Sequence, residues 1–134
     1  MTSHPIFDGH KQPTLNGFAA IFGSEYDINP EPKHDHTPAC AVCRAARSTA
    51  VTVPGTNACP AGWTREYHGY VMAGYPGYTG SSDYICVDSM KKAIANTGSN
   101  DNENLLFYTH AKCGALPCLP YVDEKIVTCV VCSK

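Results

Sequence analysis

The run Lys125-Ile126-Val127-Thr128-Cys129-Val130-Val131-Cys132, close to the end of the 134-residue chain, sets two readings of its cysteines against each other. A C-x-x-C spacing is that of a zinc knuckle, but the β-branched residues around it favour an extended strand, where such side chains pack well. A second run, Ala39-Cys40-Ala41-Val42-Cys43, repeats the pattern far upstream. The gap between the two pairs is much longer than the roughly 15 to 20 residues of a four-cysteine zinc ribbon, so disulfides are the better account. Cys40, Cys43, Cys59, Cys86, Cys113, Cys118, Cys129 and Cys132 form an even set, expected to be bridged throughout, and their spacing leaves the pairing open. Disulfides persist in oxidising compartments, which predicts an extracellular, secreted chain.

Composition supports a small domain stapled by sulfur. Only 24 residues are Ile, Leu, Val or Phe, whereas Gly and Pro supply 11 and 10. Charged residues make up 16% and the formal net charge is −2, which excludes a polycationic nucleic-acid binder, an acidic tail and a coiled-coil rod. No apolar run is long enough for membrane insertion, Met1-Thr2-Ser3-His4-Pro5 has no apolar signal core, and no Asn-x-Ser/Thr sequon occurs. If the chain is secreted, the sequence is expected to be a mature or recombinant form.

Residues 1–14, broken by Pro5 and Pro13, read as an extended arm, and 15–134 as a single cysteine-rich domain. Two apolar stretches, 15–26 and 104–110, each precede a Pro-rich loop and then a C-x-x-C. This predicts a degenerate repeat with a partial first copy at 15–43 and a complete second copy at 49–132. Strands are predicted over 49–53, 65–72, 82–88, 104–110 and 125–131, separated by Gly, Pro, Asn or Ser clusters. One short helix is predicted over 89–95. The strand 82–88 is apolar on both sides, as expected of a strand covered on both faces. The fold class is thus mainly β, a small disulfide-stabilised antiparallel domain with at most one short helix.

Residues 59–86 hold Trp63 and five of the eight tyrosines, Tyr67, Tyr70, Tyr75, Tyr78 and Tyr84. Trp63, Tyr67 and Tyr70 suit a core short of aliphatic residues; Tyr75 and Tyr78, on the turn Gly74-Tyr75-Pro76-Gly77-Tyr78-Thr79-Gly80, are expected to be exposed. A tyrosine offers a flat apolar ring and a hydroxyl at low entropic cost, which fits the C–H faces and hydroxyls of a sugar. With His68 and Asp83 as polar anchors, the candidate ligand-binding set is Tyr75, Tyr78, His68, Asp83, Tyr70 and Tyr84. His34-Asp35-His36 is a weaker candidate for a metal, because two imidazoles two residues apart on an extended chain share a side; no further ligand can be assigned, and a solvated loop is the preferred account. The acidic loop 96–104, with Asp101 and Glu103, lacks the glycine and terminal glutamate of an EF-hand. No catalytic motif or phosphate-binding loop occurs, so the chain reads as a non-enzyme with no cofactor.

Cys59-Pro60-Ala61-Gly62-Trp63-Thr64-Arg65-Glu66-Tyr67-His68-Gly69-Tyr70, Tyr84-Ile85-Cys86-Val87-Asp88, the segment Cys113 to Val122 and the closing Cys129-Val130-Val131-Cys132 resemble the non-collagenous C-terminal domain of sponge short-chain (spongin-type) collagens and their collagen-free marine invertebrate relatives. His36 and Pro38-Ala39-Cys40-Ala41-Val42-Cys43 fit the same pattern. The resemblance covers roughly residues 15–134 and implies an extracellular, disulfide-bonded β domain. Family members usually carry a complete first repeat, and no Gly-X-Y run is present here, so this polypeptide forms no triple helix. Together with the tyrosines, this predicts a lectin-like module with glycans as partners and a homo-oligomer, a dimer being favoured. The competing expectation is a structural module for extracellular-matrix assembly.

Overall fold

The computed structural model describes residues 22–75, 77 and 83–134. The predicted arm 1–14, most of the apolar stretch 15–26 and Tyr78 lie outside them. Within the described residues the chain forms β1 (Ser24–Tyr26), β2 (Ala50–Pro54), β3 (Thr64–Ala73), β4 (Ile85–Asp88), β5 (Asn104–Tyr108) and β6 (Thr128–Ser133). One sheet joins them in the order β1-β5-β3-β6-β2, with β4 on the other side of β3. All pairings are antiparallel except β1 with β5. The mainly β, disulfide-stabilised domain expected from sequence is what the chain adopts.

The Cys129 run is β6, an inner strand between β2 and β3. Cys129 and Cys132 are three residues apart, so the pleat sends them to opposite faces of the sheet. One disulfide lies on each face: Cys86–Cys129 and Cys59–Cys132. Cys129, Val130 and Cys132 are fully enclosed as a result. These bridges exclude the zinc reading for this pair.

The Cys86–Cys129 bridge also bends the sheet. Cys86 is opposite Val71 and Cys129 is opposite Gly69, so the bridge connects strands on either side of β3. In a flat sheet such strands stand roughly 9.5 Å apart, twice the spacing of neighbours. Here the two Cα atoms are 5.8 Å apart. The sheet therefore folds over β3, and Gly69 is where it does so: a Cβ there would meet the Val87 carbonyl oxygen at 1.8 Å and the Ser89 nitrogen at 2.7 Å. The Tyr67 hydroxyl donates to the Cys86 carbonyl at 3.0 Å and fixes the same fold.

On the far face Met72, Tyr26, Ile28 and Leu106 form the apolar core, with Val87, Ala93 and Tyr108 packed against it. Beyond β5 the chain continues as a ribbon, in which Val127 and Thr109 pair and Ala111 pairs with Lys125. The Cys113–Cys118 loop closes its end. At β3 the register shifts between Arg65 and Tyr67, and the extra residue Glu66 bonds to the Ser133 hydroxyl and to Arg47.

Three expectations are corrected. Residues 89–95 form a turn and not a helix: the Asp88 carboxylate takes the Met90 amide, the Asp88 carbonyl takes that of Lys91, and Ala93 then bridges to Pro38 as a strand residue would. β4 is an edge strand whose Ile85 is exposed, not a strand covered on both faces. Finally, six of the eight cysteines are bridged, while Cys40 and Cys43 are free and exposed. Among the described residues their segment has no strand partner comparable with those of β6, so the two C-x-x-C runs differ there.

Gly69→Ala is expected to lower stability by about 3 kcal/mol or more, because backbone and not a flexible side chain occupies the space. Urea denaturation of the oxidised protein measures it. By chain entropy, removing Cys86–Cys129, with a separation of 43 residues, should cost about 4 kcal/mol, and removing Cys113–Cys118, with a separation of 5, about 2 kcal/mol. Paired cysteine-to-alanine variants in the same assay check the order.

Candidate functional site

Two groups of polar and aromatic side chains stand at different places on the sheet. The first lies where β3 and β4 end. Here Tyr84 is 74% exposed, Asp83 precedes it and Tyr75 projects from the other strand, its ring 5.6 Å from that of Phe107. Next to them is an open hollow of about 410 Å³ whose wall includes Asp83, Asn104, Ser24, Thr37 and Gly74. The Asn104 amide donates to the Ser24 hydroxyl at 2.7 Å, which orients both at the mouth. The hollow thus offers carboxylate, amide and hydroxyl groups on a wall that also holds Pro38, Cys40, Ile85 and Leu106.

Glu25 holds the adjoining loop. Its carboxylate accepts the backbone amides of Asp101 and Asn102 at 2.9 and 3.3 Å, so this acidic stretch is shaped by a glutamate outside it. Asn100 and Asn102 take left-handed conformations there, which asparagine tolerates.

The second group centres on Lys91, whose side chain is only 6% exposed. Its Nζ donates to the Tyr108 hydroxyl at 2.6 Å and pairs with Glu31 at 3.0 Å, while the Tyr108 hydroxyl donates to Glu31 at 2.6 Å. The ammonium also lies over the rings of Tyr108 and Tyr70, 5.2 and 6.0 Å from their centroids, and these rings meet edge to face. A cleft of about 270 Å³ opens beside them, with Ser89 and Ile126 on its wall. Burial works against both charges, but the hydrogen bonds outweigh it: Lys91 is raised above its ordinary 10.5 and Glu31 lowered below 4.5. Tyr108 is raised by burial and then by its bond to Glu31, so the phenol stays neutral and donates.

The predicted ligand set is therefore divided. Tyr75, Asp83 and Tyr84 come together at the end of the hairpin, and Tyr78 lies outside the described residues. Tyr70 belongs to the Lys91 group. His68 is half-buried in the body of β3 opposite Val130, away from both hollows. Among the residues thought to be core, Tyr67 is tied to Cys86 and Trp63 is half-buried. Sequence reasoning missed Glu31, Lys91, Tyr108, Ser24, Thr37 and Asn104. They are brought together from distant segments, and only the topology reveals the grouping.

The His34-Asp35-His36 run does not converge on one point. The His34 ring stands 3.4 Å from both Asp27 and Asp35, and its Nδ1 accepts the Ile28 amide at 3.3 Å. His36 instead bonds the His34 carbonyl at 2.9 Å, with its ring against Gly98. Among the described residues no group of three or more His, Cys, Asp or Glu side chains is arranged to hold a metal ion. No model of a known protein family matches the chain, and no solved structure matches it.

The Lys91 network sets a pH window. Glu31 binds its proton less readily folded than unfolded, so its contribution is complete above pH 4.5 and fades as pH falls through the lower folded value. Lys91 holds its proton more tightly folded, so its contribution is complete below pH 10.5 and fades as pH rises through the higher folded value. Melting temperature against pH should show a plateau between these limits. Glu31→Gln is expected to flatten the acid limb and Lys91→Met the alkaline one.

Proposed function

We propose that this chain is an extracellular, non-catalytic carbohydrate-binding module that grips glycans at the end of the β3–β4 hairpin. The observation that carries the reading is the hollow in which Asp83, Asn104, Ser24 and Thr37 offer polar groups, at the end of the hairpin where Tyr84 is also exposed. A sugar presents C–H faces that stack on an aromatic ring and hydroxyls that need both donors and acceptors. The exposed Tyr84 ring offers the first, and the hollow that includes its sequence neighbour Asp83 offers the second. Tyr75 adds a second ring on the opposite strand.

The extracellular placement draws on three disulfides in a small chain and on the resemblance to the non-collagenous domains of sponge short-chain collagens. Among the described residues no helix is long and apolar enough to cross a membrane. A second reading, a matrix-assembly module, draws on the exposed Tyr84, Ile85 and Met90 along the edge strand β4, since exposed apolar groups beside an open strand edge suit a subunit contact.

A glycan array probed with the oxidised protein, with calcium and again with a chelator, tests the first reading. Binding to a restricted sugar class is expected, with at least a tenfold loss in Tyr84→Ala and Asp83→Ala and no change in their melting temperatures. Silence of the folded wild type on the array, with assembly that these variants abolish, would transfer the surface to the second reading.

A further inference from the structure

The hollow at the hairpin end differs from its neighbours in the sign of its charge. Lysine stands on the wall of the groove at Met90, of the hollow at Tyr121 and of the cleft at Tyr108. Among the described residues no Lys, Arg or His lines the hollow of Ser24, Thr37, Asn104 and Asp83, and Asp83 brings a carboxylate to it. The sequence neighbours of this wall are acidic as well, since Glu25 follows Ser24 and Glu103 precedes Asn104.

Hydrogen bonding divides these polar groups into spent and unspent. Glu103 accepts the Gly23 amide, Glu25 accepts those of Asp101 and Asn102, and the Asn104 side chain spends an N–H on the Ser24 hydroxyl. Thr37 uses its backbone amide on the Thr97 hydroxyl and keeps its own hydroxyl uncommitted. The Asp83 carboxylate and the Asn104 side-chain carbonyl likewise accept no hydrogen bond among the described residues. The hollow therefore holds three unspent acceptors and two hydroxyl protons to give, those of Ser24 and Thr37. Pro38, Ile85 and Leu106 supply the apolar part of the same wall.

We infer that the ligand of this hollow is an amino sugar with its amine free, a cationic glycan and not an acidic or N-acetylated one. The inference rests on the carbohydrate-binding reading and names the class of glycan within it. A protonated amine presents three N–H donors and a positive charge, whereas a hydroxyl presents one donor and no charge. Its hydrogen bond to Asp83 is charge-assisted, the stronger kind, and the Asn104 carbonyl and Thr37 hydroxyl can accept its other protons. N-acetylation removes the charge and leaves a single N–H, so the Asp83 carboxylate would be covered without a cationic partner. A uronate or a sulfate would set like charge against Asp83, with no cation on the wall to offset it.

The test presents matched glycans to the oxidised protein: oligosaccharides of glucosamine, of N-acetylglucosamine and of glucose, beside uronic-acid and sulfated chains. At pH 7 the glucosamine chains are expected to bind at least tenfold more tightly than the N-acetylated and neutral ones, the acidic chains not at all, and added salt should narrow the gap. Asp83→Asn is expected to keep its melting temperature, because the exposed side chain has no partner to lose, and to bring the three matched sets within about threefold of one another. Neutral, N-acetylated or acidic chains that match or exceed glucosamine would overturn the inference and leave the carbohydrate reading in place, as would a preference that survives Asp83→Asn. Failure of the folded protein to bind any of the chains would overturn the carbohydrate reading and the inference with it. Ethanolamine that competes as well as monomeric glucosamine would do the same, since the hollow would then recognise an amine without its sugar.

Discussion

The β4 backbone lies so close to β3 that the Val87 carbonyl oxygen would stand 1.8 Å from any Cβ at position 69. The rest of the arrangement depends on this approach. It allows the sheet to fold over β3, which brings Cys86 within bonding distance of Cys129, and that bridge closes one face of β6 while Cys59–Cys132 closes the other. With its two cysteines sealed on opposite faces, β6 is enclosed without the layer of aliphatic side chains that normally covers a central strand. A substituted Gly69 would push β4 away and open the bridge at the same time.

A chain with 24 Ile, Leu, Val and Phe residues has little apolar area with which to offset the entropy of ordering its loops. Two devices compensate. Disulfides act on the unfolded chain by limiting its freedom, most strongly where the closed loop is long, and two of the three here span 73 and 43 residues. The Lys91 network acts on the folded chain. It joins the loop bearing Glu31 and the turn bearing Lys91 to the sheet residues Tyr70 and Tyr108, and each polar atom at its centre has a partner. Removing Glu31 would leave a nearly enclosed ammonium with the Tyr108 hydroxyl as its one remaining polar partner in the network, which is why the titration of this group is tied to stability.

Strand positions were legible because local signals carry them. β-Branched and aromatic runs bounded by Gly, Pro and Asn marked five of the strands closely, and the β-branched setting of Cys129 and Cys132 separated a strand from a zinc knuckle. The turn at 89–95 was not legible, since Met90, Lys91, Lys92, Ala93 and Ile94 have good helical propensity. Here long-range interactions override it: Lys91 is drawn between Tyr70 and Tyr108 while Ala93 pairs with Pro38. Equally hidden was the difference between two C-x-x-C runs of similar sequence. Cys129 and Cys132 meet Cys86 and Cys59, whereas Cys40 and Cys43 meet no cysteine of their own chain, and spacing along a sequence does not encode that. Of the ligand set, the exposure of Tyr75 was legible from the Gly-rich stretch. The partners Asn104, Ser24 and Thr37 arrive through the parallel β1–β5 pairing and the loop that follows β1, connections with no local signature.

The same hairpin that carries the structural constraint also carries the proposed glycan surface, and the division of labour along it has a physical logic. Gly69 at one end of their pairing, and Cys86 with the Tyr67 hydroxyl within it, fix β3 and β4 to each other and to β6. Tyr75, Asp83 and Tyr84 lie just beyond the other end, where Met72 pairs with Ile85 and β5 joins β3 through Met72 and Ala73. A binding surface built from loops loses affinity to the ordering of its side chains unless the backbone beneath is already held. Here a covalent bridge and the close approach at Gly69 hold the backbone of β3 and β4 from below. On the proposed reading the sulfur framework serves the glycan surface as well as stability, although no cysteine of the three bridges lines the hollow that Asp83 and Asn104 share.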